Sequence, residues 1–216
     1  KARERTIGWR EKLLPPNCLN MKETSNPIVD FLFETGILSK TPRSGFHFLG
    51  SGQQSVAEHI NRVVFIGYTL ASLETDVDMQ KVLKMCLLHD LAEGRVSDLN
   101  YVHQKYTERH EHQAIADLTA KLPFGADMRL TVEEYEARQT KESIIAKDAD
   151  NLEWILSLKE QLDIGNDRAD AWIKSAVKRL KTKAAQQLAE GIMRTSSDHW
   201  WFADQDDDWW VNRSKK

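Results

Sequence analysis

The run from Met79 to Glu93, MQKVLKMCLLHDLAE, is the feature that most constrains how this chain can fold. Val82, Leu83, Met85, Cys86, Leu87 and Leu88 leave it almost no polar side, so a helix over these residues is expected to be central and enclosed by others. Within it stands His89-Asp90. Burying an imidazole beside a carboxylate is costly unless both are paired or bind a cation. The segment therefore predicts a helical core with polar chemistry inside it.

Other segments agree with that class. Val29, Leu32, Phe33 and Ile37 in PIVDFLFETGILSK recur at helical spacing, with Gly36 near the end. TPRSGFHFLGSGQQ, with Pro42, Gly45, Gly50 and Gly52, reads as a loop. Ser55-Val56-Ala57-Glu58 is a capping box, and the helix it starts carries Val56, Ile60, Val63, Val64, Leu70 and Ala71 at the 3.6-residue period. Tyr106 to Leu122 is expected to be a helix stopped by Pro123, and Thr131 to Leu162 one long or broken helix. Arg168 to Ala189 is expected to be amphipathic, with Lys174, Lys178, Lys181 and Lys183 on a solvated face. No segment alternates as a strand does, so the expected fold class is all-α, a bundle of roughly six or more helices.

A chain of 216 residues fits one domain with appendages. The expected division is a basic extension over 1–26, a helical domain over 27–195 and an acidic tail over 196–216. Trp200, Trp201, Trp209 and Trp210 in the tail would expose much aromatic area, so docking against the body or a second subunit is expected. Lys plus Arg number 30 against 33 Asp plus Glu, a net charge of −3. That excludes a protein built around a nucleic-acid duplex, where a domain pI above about 9 is usual. Cys18 and Cys86 are too few for a disulfide framework or a four-cysteine zinc site, so any metal rests on His and carboxylates. The opening residues KARERTIGWREK lead into no apolar signal segment, and no run of about 20 apolar residues exists. A cytoplasmic location and no membrane partner are expected.

His59 lies in the first turns of the capped helix. Glu93 is four residues after His89, so the two project from one helix face, and Asp98 follows in GRVSD. Asp148 and Asp150 fall in IIAKDADNLEWIL among Ile144, Ile145, Leu152, Ile155 and Leu156, a poor place for unpaired carboxylates. A core histidine satisfied by its neighbours explains a lone His-Asp pair. A buried divalent ion explains all of these acids together.

The strings SVAEH, CLLHDLAEGRVSD and AKDAD resemble the HD-domain metal-dependent phosphohydrolases, whose signature is His, then His-Asp, then a distant Asp. Within that family the chain is most similar to the 5'-deoxynucleotidases of the bacterial YfbR type and their eukaryotic relatives. The resemblance implies one divalent metal ion bound by His59, His89, Asp90 and Asp150, with Asp148 the competing last ligand. The order Lys147-Asp148-Ala149-Asp150 favours Asp150. Two imidazoles and two carboxylates suit manganese, cobalt, iron, magnesium or zinc.

The implied reaction removes the 5'-phosphate from (deoxy)nucleoside monophosphates by metal-activated water. Glu93 and Asp98 are the implied catalytic residues. Either could orient or deprotonate the water, with Asp98 favoured for positioning the nucleophile and touching substrate, and Glu93 for acid–base work or the sugar hydroxyl. Arg43 in LSKTPRSGF offers a planar guanidinium for the phosphate. The relatives place a Trp beside this Arg, whereas Ser44-Gly45-Phe46-His47 stands here, which leaves Phe46 to stack on the nucleoside and weakens selection for 2'-deoxyribose. Alternative readings are a nucleoside triphosphate or other phosphoester substrate, and a nucleotide-binding regulator without turnover. The expected partner is a small-molecule nucleotide, with no stable nucleic-acid complex, and the relatives imply a homodimer. A second metal at His103, His110 and His112 is disfavoured, because His110 and His112 point about 200° apart on a helix.

Overall fold

The computed structural model describes residues 26–207, 209 and 210. All of the expected N-terminal extension except Asn26 lies outside the described residues, as do residues 208 and 211–216. The helices are α1 (Pro27–Thr35), α2 (Gly45–Leu49), α3 (Val56–Ser72), α4 (Met79–Leu88), α5 (Glu93–Val96) and α6 (Glu111–Thr119). They continue as α7 (Gly125–Ala137), α8 (Lys141–Asp163), α9 (Arg168–Val177), α10 (Lys183–Arg194) and α11 (His199–Phe202). Short 3-10 turns at Gly36–Ser39 and His103–Lys105 complete the order. Among the described residues there is no strand beyond one isolated bridge, Pro42 to Ser55. The fold is all-α.

Side-chain caps set where the main helices begin. The Ser55 hydroxyl accepts from Glu58 N at 3.2 Å while the Glu58 carboxylate accepts from Ser55 N at 2.6 Å, which satisfies two free donors at the start of α3. Thr140 starts α8 with a capping box as well, and the side chains of Asp78 and Thr182 cap α4 and α10 by accepting from Lys81 N and Ala185 N.

Several boundaries differ from the sequence reading, each for a local reason. The expected loop after Pro42 contains the one-turn helix α2, which ends at Gly50 with φ 84°. The expected helix from Met79 to Glu93 stops at Leu88, and His89 is its C-cap rather than an interior residue. The segment expected from Thr131 to Leu162 is broken where Arg138 turns left-handed at φ 51°. The segment from Arg168 to Ala189 divides at Lys178–Thr182, where Asp148 captures the backbone of the turn. The helix ending before Pro123 is shorter than expected, because the residues from Tyr106 to Arg109 are not helical.

The central helix is α8 rather than α4. Leu87 on α4 is exposed, whereas Ile145, Ala149, Leu152, Ile155 and Leu158 on α8 are fully buried. Helix α8 packs against α3, α4, α7, α9 and α10. A second apolar cluster joins Val56 and Ile60 to Leu88, Leu91, Ile115, Leu118, Met128 and Val132. His59 is fully buried on α3, the same helix that gives Ile60 to this second cluster and Val63 to the main one. The tail does not bury its indoles against the body among the described residues. Trp201, Trp209 and Trp210 pack on one another, and Trp200 remains 85% exposed.

Candidate metal centre

Three elements bring the polar core together. Helix α3 carries His59 one turn after its cap, the end of α4 carries His89 and Asp90, and the middle of α8 carries Asp150. His59 Nε2 lies 3.3 Å from His89 Nε2, 3.2 Å from Asp150 Oδ1 and 3.4 Å from Asp90 Oδ2. His89 Nε2 is 3.3 Å from the same Asp90 oxygen. Two imidazole nitrogens and an Asp150 oxygen thus meet as one group, and the Asp90 oxygen, also held by Arg43 at 3.2 Å, lies beside the two nitrogens.

The far side of each ring decides what its Nε2 presents to that group. His89 Nδ1 is 2.9 Å from the Cys86 carbonyl oxygen, which can only accept, so Nδ1 carries the hydrogen and donates it. His59 Nδ1 lies 2.6 Å from Glu153 Oε2. Burial works against the Glu153 charge, but hydrogen bonding to His59 and the charges of His59 and Arg62 outweigh it and bring this carboxyl down to about 2. Glu153 therefore accepts from His59 Nδ1. In the neutral rings both Nε2 atoms are then lone pairs, and with the neighbouring carboxylates they make a cluster of acceptors that suits a cation. The donor set fits a divalent metal ion.

Glu153 is itself fully buried and held by Gln54, Ser157 and Arg62, the last donating from Nε at 3.0 Å and Nη2 at 2.8 Å. On the other flank, Lys147 Nζ at 2.6 Å and the Tyr135 hydroxyl at 3.2 Å donate to Asp150 Oδ2, leaving Oδ1 for the centre. The sequence reading named none of Glu153, Arg62, Tyr135 or Lys147 as a supporting residue. Spacing offered one signal: Glu153 is three residues after Asp150 on α8, and Arg62 three after His59 on α3.

Asp148 is not at the centre. It is fully buried one helical face away, where it accepts from Lys181 N, Thr182 N and the Thr182 hydroxyl at 2.7–3.1 Å. Its task is to hold the turn before α10. Among the described residues, His103, His110 and His112 assemble no second group of this kind.

Arg43 bridges the centre and the next acids. Its Nη1 is 3.2 Å from Asp90 Oδ2 and its Nε 3.6 Å from Asp98 Oδ2, and the backbone N–H of Ser44 donates to that Asp98 oxygen at 2.9 Å. Asp98 is aimed by Ser97, whose φ of 63° is a left-handed backbone that only glycine adopts freely. Glu93 is 7% exposed, and its Oε2 has no protein hydrogen-bond partner. Burial, with Asp90 and Asp98 adding to it, pushes the Glu93 carboxyl up to about 10. Cys86 is core: burial raises its thiol to about 12, and only its carbonyl serves the site.

A cavity of about 580 Å³ opens from this cluster, a size suited to a small ligand. Arg43, Asp90, Glu93, Asp98 and Asp150 line it, and so do Phe48, Tyr101, Trp154, Trp172 and Arg179. Phe46 is a correction to the sequence reading. It is 6% exposed, packed edge-on to Trp154 at 5.3 Å between ring centres, and is not on the cavity wall, because α2 turns it into the core.

A family model described as HD domain matches residues 35–192. The chain belongs to the HD-domain family. This HD-domain chain is 30% identical over 139 residues to the 5'-deoxynucleotidase HDDC2 of Danio rerio, a match covering 62% of this chain and 68% of that protein. It is 29% identical over 144 residues to the 5'-deoxynucleotidase hdd1 of Schizosaccharomyces pombe, covering 62% and 71%. Among solved structures, a conserved hypothetical protein from Pyrococcus furiosus superimposes with a TM-score of 0.67 at 29% identity, over 77% of this chain and 99% of that one. No helix among the described residues is long and apolar enough to cross a membrane.

Proposed function

We propose that this HD-domain protein is a metal-dependent phosphohydrolase that removes the 5'-phosphate from nucleoside monophosphates, deoxynucleotides included. The observation that carries the reading is the meeting of His59 Nε2 and His89 Nε2 at 3.3 Å beside Asp90 and Asp150, on the wall of a cavity of nucleotide size. The relatives named 5'-deoxynucleotidases support the choice of substrate.

His59, His89, Asp90 and Asp150 hold the cation in this reading. A divalent ion so bound supplies a water of lowered pKa and polarises the phosphoryl oxygens. The rest of the work belongs to the chain. Arg43, already charged and pinned by Asp90 and Asp98, presents its guanidinium to the phosphate and orients it. Asp98 fixes the Arg43 loop through Ser44 N, which makes it a positioning residue as well as a wall of the site. Glu93, with an unpartnered buried oxygen on the cavity, is the group placed to exchange a proton with the reacting water or the leaving 5'-oxygen.

The test is phosphate release from a panel of ribo- and deoxynucleoside mono- and triphosphates, each with manganese, cobalt, iron, magnesium and zinc in turn. Wild type is expected to release phosphate from monophosphates. Asp90→Ala and Glu93→Ala are each expected to lose about a hundredfold or more in kcat. Metal-loaded wild type that releases no phosphate from any nucleotide overturns the function, and a variant as active as wild type overturns its assignment.

A further inference from the structure

The loss of Phe46 from the cavity leaves open what meets the nucleoside, and α8 supplies an answer. Lys147, Asp150, Asn151 and Trp154 all line the cavity, and their spacing is that of one face of a helix. Trp154 stands one turn beyond Asp150, roughly 6 Å along the axis. The helix that carries Asp150 therefore presents an indole at the distance a nucleoside lies from its own 5'-phosphate.

The indole is fitted against the loop that carries Arg43. Gly45, two residues after Arg43, lies so close that a Cβ added there would be 3.1 Å from Trp154 Cη2. Glycine at 45 is thus what lets the ring from α8 lie against the Arg43 loop. Phe46 meets the ring edge-on at 5.3 Å with planes 85° apart, and Trp172 of α9 stands 6.2 Å away and also lines the cavity. Trp154 is only 9% exposed and belongs with Phe46 to the main apolar core, so the ring is held before any ligand arrives; unlike Phe46 it reaches the cavity, and only that part of the ring is open to a ligand.

We propose that Trp154, seated across Gly45 and flanked by Trp172, is the surface on which the nucleobase of the substrate stacks and so determines that this site takes nucleotides rather than sugar phosphates in general. This rests on the nucleotide reading above. Stacking on an aromatic ring is tolerant of base identity, so the surface selects a nucleobase without choosing among bases.

The experiment compares kcat/KM for dAMP with kcat/KM for 2-deoxyribose 5-phosphate, which lacks a base, in wild type, Trp154→Leu and Gly45→Ala. The ratio of the two constants does not depend on how much of a preparation is folded. Trp154→Leu is expected to lower the ratio about tenfold or more, through KM for dAMP, and Gly45→Ala to lower it less, by displacing the ring. An unchanged ratio in Trp154→Leu overturns the proposal. Wild type inactive on both substrates overturns the proposed reaction instead, and the wall is then read from equilibrium dialysis of dAMP. Retention by wild type that is weakened about tenfold in Trp154→Leu sustains the proposal; equal retention, or none by wild type, overturns it.

Discussion

At His59 the position of one proton is decided by a residue outside the family signature. Glu153 accepts from Nδ1 and so fixes the neutral tautomer whose Nε2 lone pair faces His89 and Asp150. Glu153→Gln keeps the shape but offers an amide that can donate to Nδ1 and drive the hydrogen to Nε2, where the cation belongs. Cation affinity is expected to fall tenfold to a hundredfold, the usual range for a partner of a ligating histidine. Competition against a chelator measures it, and an affinity equal to that of wild type contradicts this role. His59, His89, Asp90 and Asp150 were proposed from the order of the family signature, and the fold brings His59, His89 and Asp150 into one group with Asp90 beside the two rings. For Glu153 the sequence offers only its spacing from Asp150, which sets a helix face but not which neighbour it meets. Phe46 was misread for a related reason: the direction of a side chain in a glycine-rich segment depends on a one-turn helix, α2, that composition does not reveal.

Two elements separate the site from the scaffold. Asp148 and Asp150 are neighbours on α8 with different tasks, one holding the turn before α10 and the other facing the centre. Asp148→Asn is expected to lower the unfolding free energy by about 2–3 kcal/mol, because hydrogen bonds to a buried charge are lost, while leaving cation affinity unchanged. Asp150→Asn is expected to do the reverse. Urea unfolding and metal titration on the same preparations check the pair, and swapped outcomes would exchange the two residues in the account. At α5, the left-handed Ser97 stores strain that aims Asp98. Ser97→Gly is expected to raise stability by about 1 kcal/mol, seen as a higher urea midpoint, and to lower kcat by loosening Asp98. A lower midpoint contradicts the strain. The capping box made the start of α3 readable to the residue, whereas the stop of α4 at Leu88 was not, since the turn there follows from the packing of Leu88 and Leu91 in the second cluster.

Across the molecule, Asp90, Asp98 and Asp150 come to one cavity beside Arg43 and Lys147, while burial keeps Glu93 there in its neutral form. The all-α class was legible from periodicity alone. Which helix is central was not, because Leu87 reads as core in sequence and is exposed in the fold, whereas α8 carries polar residues whose burial only their partners explain. A cation that binds the folded state alone stabilises it by about 2.7 kcal/mol at a hundred times its Kd. The thermal midpoint of wild type is therefore expected to rise with divalent cation concentration, and that of Asp150→Ala to remain flat; equal rises contradict a folded-state site at Asp150. The most direct measurement is an anomalous-scattering map from crystals grown with manganese. The account predicts one peak per chain, coordinated by His59 Nε2, His89 Nε2, Asp90 and Asp150. A manganese-loaded crystal with no peak among these four side chains would contradict it.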